Sequence, residues 1–399
     1  MNVGLHDLDL FQRGVPHETF AELRATAPVS FHHDPASPGF WSVHRHADVV
    51  AVNRDNQTFS SHLKATLFWE MEEADLAQQQ LMMLNMDPPM HTRYRRLVNK
   101  GFTPRMVGDL EAHIREMTGT ILDDAAAKGE FDFVTEVSAE LPLQVIAELM
   151  GVPHEERHLM FDWSNRMVGA QDPEYGVLPE EASQAAMELF AYAHQLAEQK
   201  RANPHDDLIS VLSTCEVEGE RLSELEIDLF FMLLTVAGNE TTRNLISHGM
   251  HALMEHPDQY ALLRNDPSLV DSAVEEMLRW ASPVMHFRRT ASRDCEIGGQ
   301  KIAEGDKVVI WYISANRDET VWDDPYTFDI TRQDNQHVSF GGGGPHFCLG
   351  ANLARMEARV MFRELIERFE IIEPAGDCQR LRSNFINGIK HLPVRVKPA

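Results

Sequence analysis

The sequence predicts a mainly α fold with small β-sheets, an α+β chain. Three observations predict it. Between Pro88 and Trp280 nearly every periodic stretch follows the helical repeat. One segment there, Ser223 to His256, carries both a start and a stop signal. Runs with strand character stand only near the two ends of the sequence.

In chain order, Phe40 to Val43 reads as a short strand. Ser223 and Glu226 form a capping box, and Pro257 ends the helix that they open. At ~1.5 Å per residue that helix is on the order of 50 Å long. Another helix begins near Ser268 and must end before Pro283. Cys295-Glu296-Ile297 and Gln300-Lys301-Ile302 flank Gly298-Gly299, a hairpin signature. Val308 to Tyr312 is a strand, and Leu392 to Val396 is the last one. The β-rich parts are therefore expected near 38–60, 285–312 and 370–399, with a helical body over 88–282. No Pro/Ser-rich linker, repeat or low-complexity tract divides the chain, so residues 1–399 are expected to form a single domain.

Thirty-six basic residues face 62 acidic ones, a formal net charge of −26. That balance argues against nucleic acid as a main partner. Cys215, Cys295, Cys348 and Cys378 lie far apart without a CxxC pair, as expected of a reduced, cytoplasmic protein. The N-terminus has neither signal-peptide nor membrane-anchor character. The strongest apolar run, Leu229 to Gly238, is too short for a bilayer, which needs about 20 residues. Met82 and Met86 are assigned to core packing, and His44 and His46 to the surface, since neither group completes a metal-ligand set.

The chemistry concentrates in Phe340-Gly341-Gly342-Gly343-Gly344-Pro345-His346-Phe347-Cys348-Leu349-Gly350. Leu349, Leu353, Met356 and Val360 recur at steps of four, three and four, so a helix follows at once. A thiol at a helix N-terminus is pushed toward thiolate, the form that binds metal. Glycines let backbone approach the sulfur closely. A Gly-rich surface loop around an inert Cys is the plain alternative. A phosphate-binding loop is rejected, because no Gly-Lys-Ser/Thr ending follows.

This loop resembles the haem-binding loop of the cytochrome P450 monooxygenases. Phe340, His346, Cys348 and Gly350 fill the family's positions, and Gly341 opens the glycine run. The aromatic residue stands eight places before the Cys rather than the family's usual seven. That extra glycine is similar to bacterial P450s acting on steroid side chains and branched lipids. The resemblance covers essentially the whole chain and implies haem b ligated axially by Cys348.

Further roles follow from the same resemblance. Glu240 and Thr241 match the acid–alcohol pair that relays protons during dioxygen reduction. The alternative there is a helix kink with a back-bonded Thr. Ala237 and Gly238 would leave space for a flat cofactor. His91, Arg95, Arg289 and His346 match residues that pair with the haem propionates. Glu276, Arg279 and Arg332 match a structural set that holds the Cys loop; by spacing alone, Glu276 and Arg279 are also an ordinary surface pair. Val236, Val284, Met285, Phe287, Phe385 and Ile386 match substrate-pocket segments, and a hydrophobic substrate would follow.

Arg93, Arg96, Lys100, Arg105, Arg355 and Arg359 could steer an acidic ferredoxin, or form an ordinary solvated face. The chain has no Gly-x-Gly-x-x-Gly and no flavin module, so a separate ferredoxin and ferredoxin reductase are implied. The implied reaction inserts one atom of O2 into a C–H bond of a steroid side chain or branched lipid. A terpenoid hydroxylase, a peroxide-driven haem-thiolate enzyme and a non-catalytic haem binder or sensor are the alternatives.

Overall fold

The computed structural model describes residues 4–35, 37–102, 106, 108, 110–168, 172–174 and 176–399. The chain divides into two compact units that interleave along the sequence. The first comprises 1–92, 272–348 and 380–388; the second comprises 93–271, 349–379 and 389–399.

The first unit is built on a five-stranded sheet, in the order Val29–Asp34, Ser37–Val43, Lys307–Trp311, His286–Ala291 and Phe59–Ser60. Ser37–Val43 and Lys307–Trp311 pair in parallel, with Trp41 opposite Val308. Every residue of Lys307–Trp311 is buried, as expected of a central strand covered on both faces. Tyr312 belongs to the next short helix, Tyr312–Ala315, so the strand ends one residue earlier than its sequence reads. The hairpin Cys295–Ile297/Gln300–Ile302 forms as expected, with Gly298 and Gly299 at φ 55° and 79°. Those are the left-handed conformations a tight hairpin turn requires.

Val29–Asp34 falls outside the expected β-rich parts, and helix His46–Arg54 lies within one. His44 is fully buried rather than at the surface, accepting or donating at Ser42 Oγ across 2.9 Å. Burial, then the nearby His32 and Arg24, holds its imidazole well below the usual histidine range. Met86 is buried and Met82 half-buried.

The second unit centres on the long helix, Glu224–Glu255. Ser223 and Glu226 cap it reciprocally, and His256 closes it before Pro257. Helices Glu140–Met150, Pro179–Ala202 and Ala351–Arg368 pack against it. The three-residue strand Glu130–Asp132 interrupts the expected helical body. It pairs with Pro393–Pro398, placing Phe131 opposite Val394. This partner lies more than 250 residues away, so no local pattern announces it. Among the described residues, no helix is long and apolar enough to cross a membrane.

Candidate functional site

In the first unit the Cys348 loop is closed by its own backbone. Cys348 N–H donates to the Phe340 carbonyl at 3.0 Å, and Gly341 N–H to that of Val338 at 2.8 Å. Gly341 to Gly344 all adopt positive φ. A Cβ on Gly344 would stand 2.3 Å from the Asn53 carbonyl oxygen, so that position admits only glycine. A Cβ on Gly350, by contrast, would meet no heavy atom within 4 Å. The loop leaves Phe347 and Cys348 exposed. Gly350 caps the helix that begins at Ala351, so Cys348 stands two residues before the cap.

A buried polar frame lies in the same unit. Glu276 and Arg279 are both fully buried and form a two-pronged pair, at 2.7 and 2.8 Å. Arg279 also donates to the carbonyls of Asn316, Pro325 and Thr327. Arg332 Nε lies 3.3 Å from Glu276. Asn316 Oδ1 accepts from Val338 N–H at 2.7 Å, and Ser339 Oγ donates to the Leu278 carbonyl at 2.7 Å. These bonds fix the two residues that precede Phe340.

Arg289 is buried, and no carboxylate among the described residues lies within ion-pair reach. Its guanidinium donates instead to the Arg288 carbonyl at 2.8 Å and to Asn53 Oδ1 at 3.1 Å. Burial lowers its proton affinity. A buried cation in that state is suited to an anionic ligand. His91 is also buried, its ring 4.3 Å from that of His346. Arg95, one turn beyond His91 on helix Met90–Val98, donates to Asn99 Oδ1 at 3.2 Å. An exposed thiol, a lone buried guanidinium and a pair of imidazoles form a donor set that fits a haem with its propionates.

Val284 and Ile386 form a β-bridge, and Met285 N–H donates to the Phe385 carbonyl at 2.8 Å. Val284, Phe287 and Phe385 are half-buried, with the two phenyl rings 5.4 Å apart. Ile386 is buried. Met285 lies in the core with Phe11, Phe68 and Trp311, which removes it from an accessible lining.

In the second unit, the middle of the long helix changes character. Ala237 is exposed and Val236 half-buried, although Thr235 and Asn239 on either side are buried. Gly238 does not serve the expected purpose. A Cβ there would stand 2.6 Å from Ile146 Cδ1, so the glycine admits the neighbouring helix Glu140–Met150 rather than a cofactor.

Thr241 Oγ donates to the Ala237 carbonyl at 2.8 Å, the back-bonded arrangement, which leaves its oxygen able to accept. Glu240 is buried and pairs through Oε2 with Arg243 Nη2. Its Oε1 is buried with no hydrogen-bond partner among the described residues. Burial raises the Glu240 carboxyl above the ordinary range, with Arg243 opposing the rise. Arg243 was not foreseen as a partner, although Glu240 and Arg243 repeat the i,i+3 spacing of Glu276 and Arg279.

Three of the six residues of the expected basic patch have acidic partners. Arg93 pairs with Glu226 at 2.6 Å, Arg96 with Glu218 at 2.6 Å and Arg359 with Asp271 at 3.2 Å. Arg105 lies outside the described residues.

Comparison with known proteins adds the family. The cytochrome P450 profile matches residues 8–396. A steroid C26-monooxygenase from Rhodococcus jostii is 43% identical, over 98% of this chain and 84% of its own length. A methyl-branched lipid omega-hydroxylase from Mycobacterium bovis is 44% identical, over 94% of this chain and 90% of its own. The structure of a Mycobacterium marinum cytochrome P450 in complex with pseudoionone is 41% identical, with a TM-score of 0.90 over 97% of this chain and 96% of that one. The chain belongs to the cytochrome P450 family, whose members are cysteine-thiolate haem enzymes.

Proposed function

We propose that this P450 monooxygenase hydroxylates a terminal methyl group on a steroid side chain or a methyl-branched lipid. The single observation that carries the reaction type is the Cys348 loop: a glycine-wrapped, exposed thiol two residues before a helix cap. The relatives named for steroid C26 and branched-lipid omega positions support the substrate class.

Bound haem would supply dioxygen activation and C–H oxidation, with one oxygen atom entering the C–H bond and the other leaving as water. That balance consumes a pair of electrons and a pair of protons. We assign the chain's own work as follows. Cys348 supplies the thiolate ligand, and Arg289, His91, Arg95 and His346 anchor the propionates. Burial raises the proton affinity of the Glu240 carboxyl, with Arg243 opposing the rise. Glu240 passes protons inward, and Thr241 accepts a hydrogen bond from what it orients. Val284, Phe287, Phe385 and Ile386 contribute the apolar lining. Electrons come from a separate ferredoxin and its reductase.

Spectral titration of the holoenzyme tests the substrate class. Saturable low-to-high-spin shifts with cholestenone or a methyl-branched fatty acid, but not with monoterpenes, are expected. The reverse pattern would replace this reading with a terpenoid hydroxylase, a reading favoured by the pseudoionone-bound relative.

A further inference from the structure

Residues 380–388 belong to the first unit, although the chain on either side of them belongs to the second. Bonds to two other parts of the first unit hold this excursion. One part is 281–285. Asn387 N–H donates to the Pro283 carbonyl at 2.9 Å, Asn387 Nδ2 donates to the Ala281 carbonyl, and Met285 N–H donates to the Phe385 carbonyl. The other part is the N-terminal segment, reached by side chains at every second position. Arg380 Nε donates to the Phe11 carbonyl at 3.5 Å, Arg382 Nε to Asp9, and Asn384 Nδ2 to the Leu5 carbonyl at 3.0 Å. A spacing of two puts side chains on one side of an extended stretch. Asn384 and Leu5 are both buried, so their bond is shielded from water.

Phe385 follows Asn384 directly. The Ser383 hydroxyl accepts from the N–H groups of Phe385 and Ile386, at 3.1 and 3.0 Å, which fixes the turn that carries the phenyl. A column of rings also runs to Phe385 from the N-terminal helix, Leu8–Arg13. Phe11 stacks on Trp311, with centroids 5.7 Å apart and planes at 8°. Trp311 lies 4.6 Å from His286, and His286 lies 5.6 Å from Phe385. His286 is fully buried, and burial pushes its imidazole down to about 3, so it stands there as an uncharged ring. Rings in contact at these distances pass a displacement on, because a close-packed interior leaves little slack.

We propose that the N-terminal segment positions the Phe385 phenyl, which makes Asn384 and Phe11 determinants of which substrate carbon is oxidised. The inference rests on the reading of Phe385 as part of the apolar lining. Leu5 and Phe11 are buried and act only through the loop and the ring column. A methyl carbon and its neighbour are about 1.5 Å apart, so a small shift of the phenyl decides which is presented.

The test places 4-fluorophenylalanine at position 385 and reads its fluorine resonance in the reduced, carbon-monoxide-bound holoenzyme. It also reads the ratio of terminal to adjacent-carbon hydroxylation of cholestenone or a methyl-branched fatty acid. Neither readout depends on how much of the protein is folded. Asn384→Ala removes the buried tether, and Asp9→Ala the exposed one, where folding is least threatened. In Asn384→Ala the resonance should shift or split, and the product ratio should change by about threefold or more. Asp9→Ala should move both in the same direction by less, and decides alone if Asn384→Ala does not fold. Both readouts unchanged in the folded variants would overturn the proposal. Phe385→Ala separates the two readings. A ratio unchanged there as well would remove Phe385 from the lining; a ratio changed there but not in the tether variants would strike the tether alone.

Discussion

Glu276 with Arg279, and Glu240 with Arg243, are two i,i+3 pairs on two helices, both withdrawn from water. Their surroundings differ. Glu276 also accepts from the Asp329 N–H and Asn335 Nδ2, both at 3.0 Å, and lies beside Arg332. Arg279 satisfies three backbone carbonyls. Glu240 has one oxygen on Arg243 and the other without a partner among the described residues, and Arg243 has an idle Nε. A buried ion pair whose every atom is engaged locks a structure; one with atoms left over can move a proton. The spacing is identical, so the neighbours decide the role.

Breaking the saturated pair should have the largest effect. Arg279→Ala strands a buried carboxylate and frees three carbonyls, and should cost about 3–5 kcal/mol of stability, read by denaturant unfolding and by lost haem uptake. A loss under about 1 kcal/mol would show that the frame is not what holds the loop.

A third buried carboxyl sharpens the contrast. Glu357 on helix Ala351–Arg368 has a buried Oε2 without a partner among the described residues, and burial pushes its carboxyl up to about 8. The folded protein therefore keeps a proton that the unfolded chain releases near 4.5, and stability falls as pH rises from there toward about 8. Glu357→Gln should be more stable than the parent at high pH, on the order of 3 kcal/mol, and nearly neutral in acid. Equal pH profiles for the two would contradict this.

Gly344→Ala forces a Cβ toward the Asn53 carbonyl at a φ of 82° and should cost about 1–3 kcal/mol, measured by thermal unfolding. The smallest stability change belongs to the unsaturated pair. Glu240→Gln should shift stability by under about 1 kcal/mol yet lower coupled product formation by about 10²-fold, with electrons diverted to peroxide. A large unfolding penalty with coupling intact would reverse the assignment of roles.

What could be read from the sequence follows the range of the interaction. The long helix was legible to its caps because Ser223, Glu226 and Pro257 are local signals. The Gly298-Gly299 hairpin was legible for the same reason. The loop around Cys348 was legible as a motif. Strand Glu130–Asp132 was not, since its partner Pro393–Pro398 is distant in sequence. Gly238 was misread because its reason is Ile146 on another helix. His44 was placed outside because no metal-ligand set formed around it, whereas the structure buries it with its Nε2 on Ser42 Oγ. Asn53 gave no signal at all, yet its carbonyl meets Gly344 and its side chain receives Arg289.

The thiolate at Cys348 is tested most directly by the absorption spectrum of the reduced, carbon-monoxide-bound holoenzyme. The wild type should show the strongly red-shifted Soret band of thiolate ligation, and Cys348→His should bind haem without it. A folded, haem-loaded wild type lacking that band, or a Cys348→His variant retaining it, would contradict the assignment.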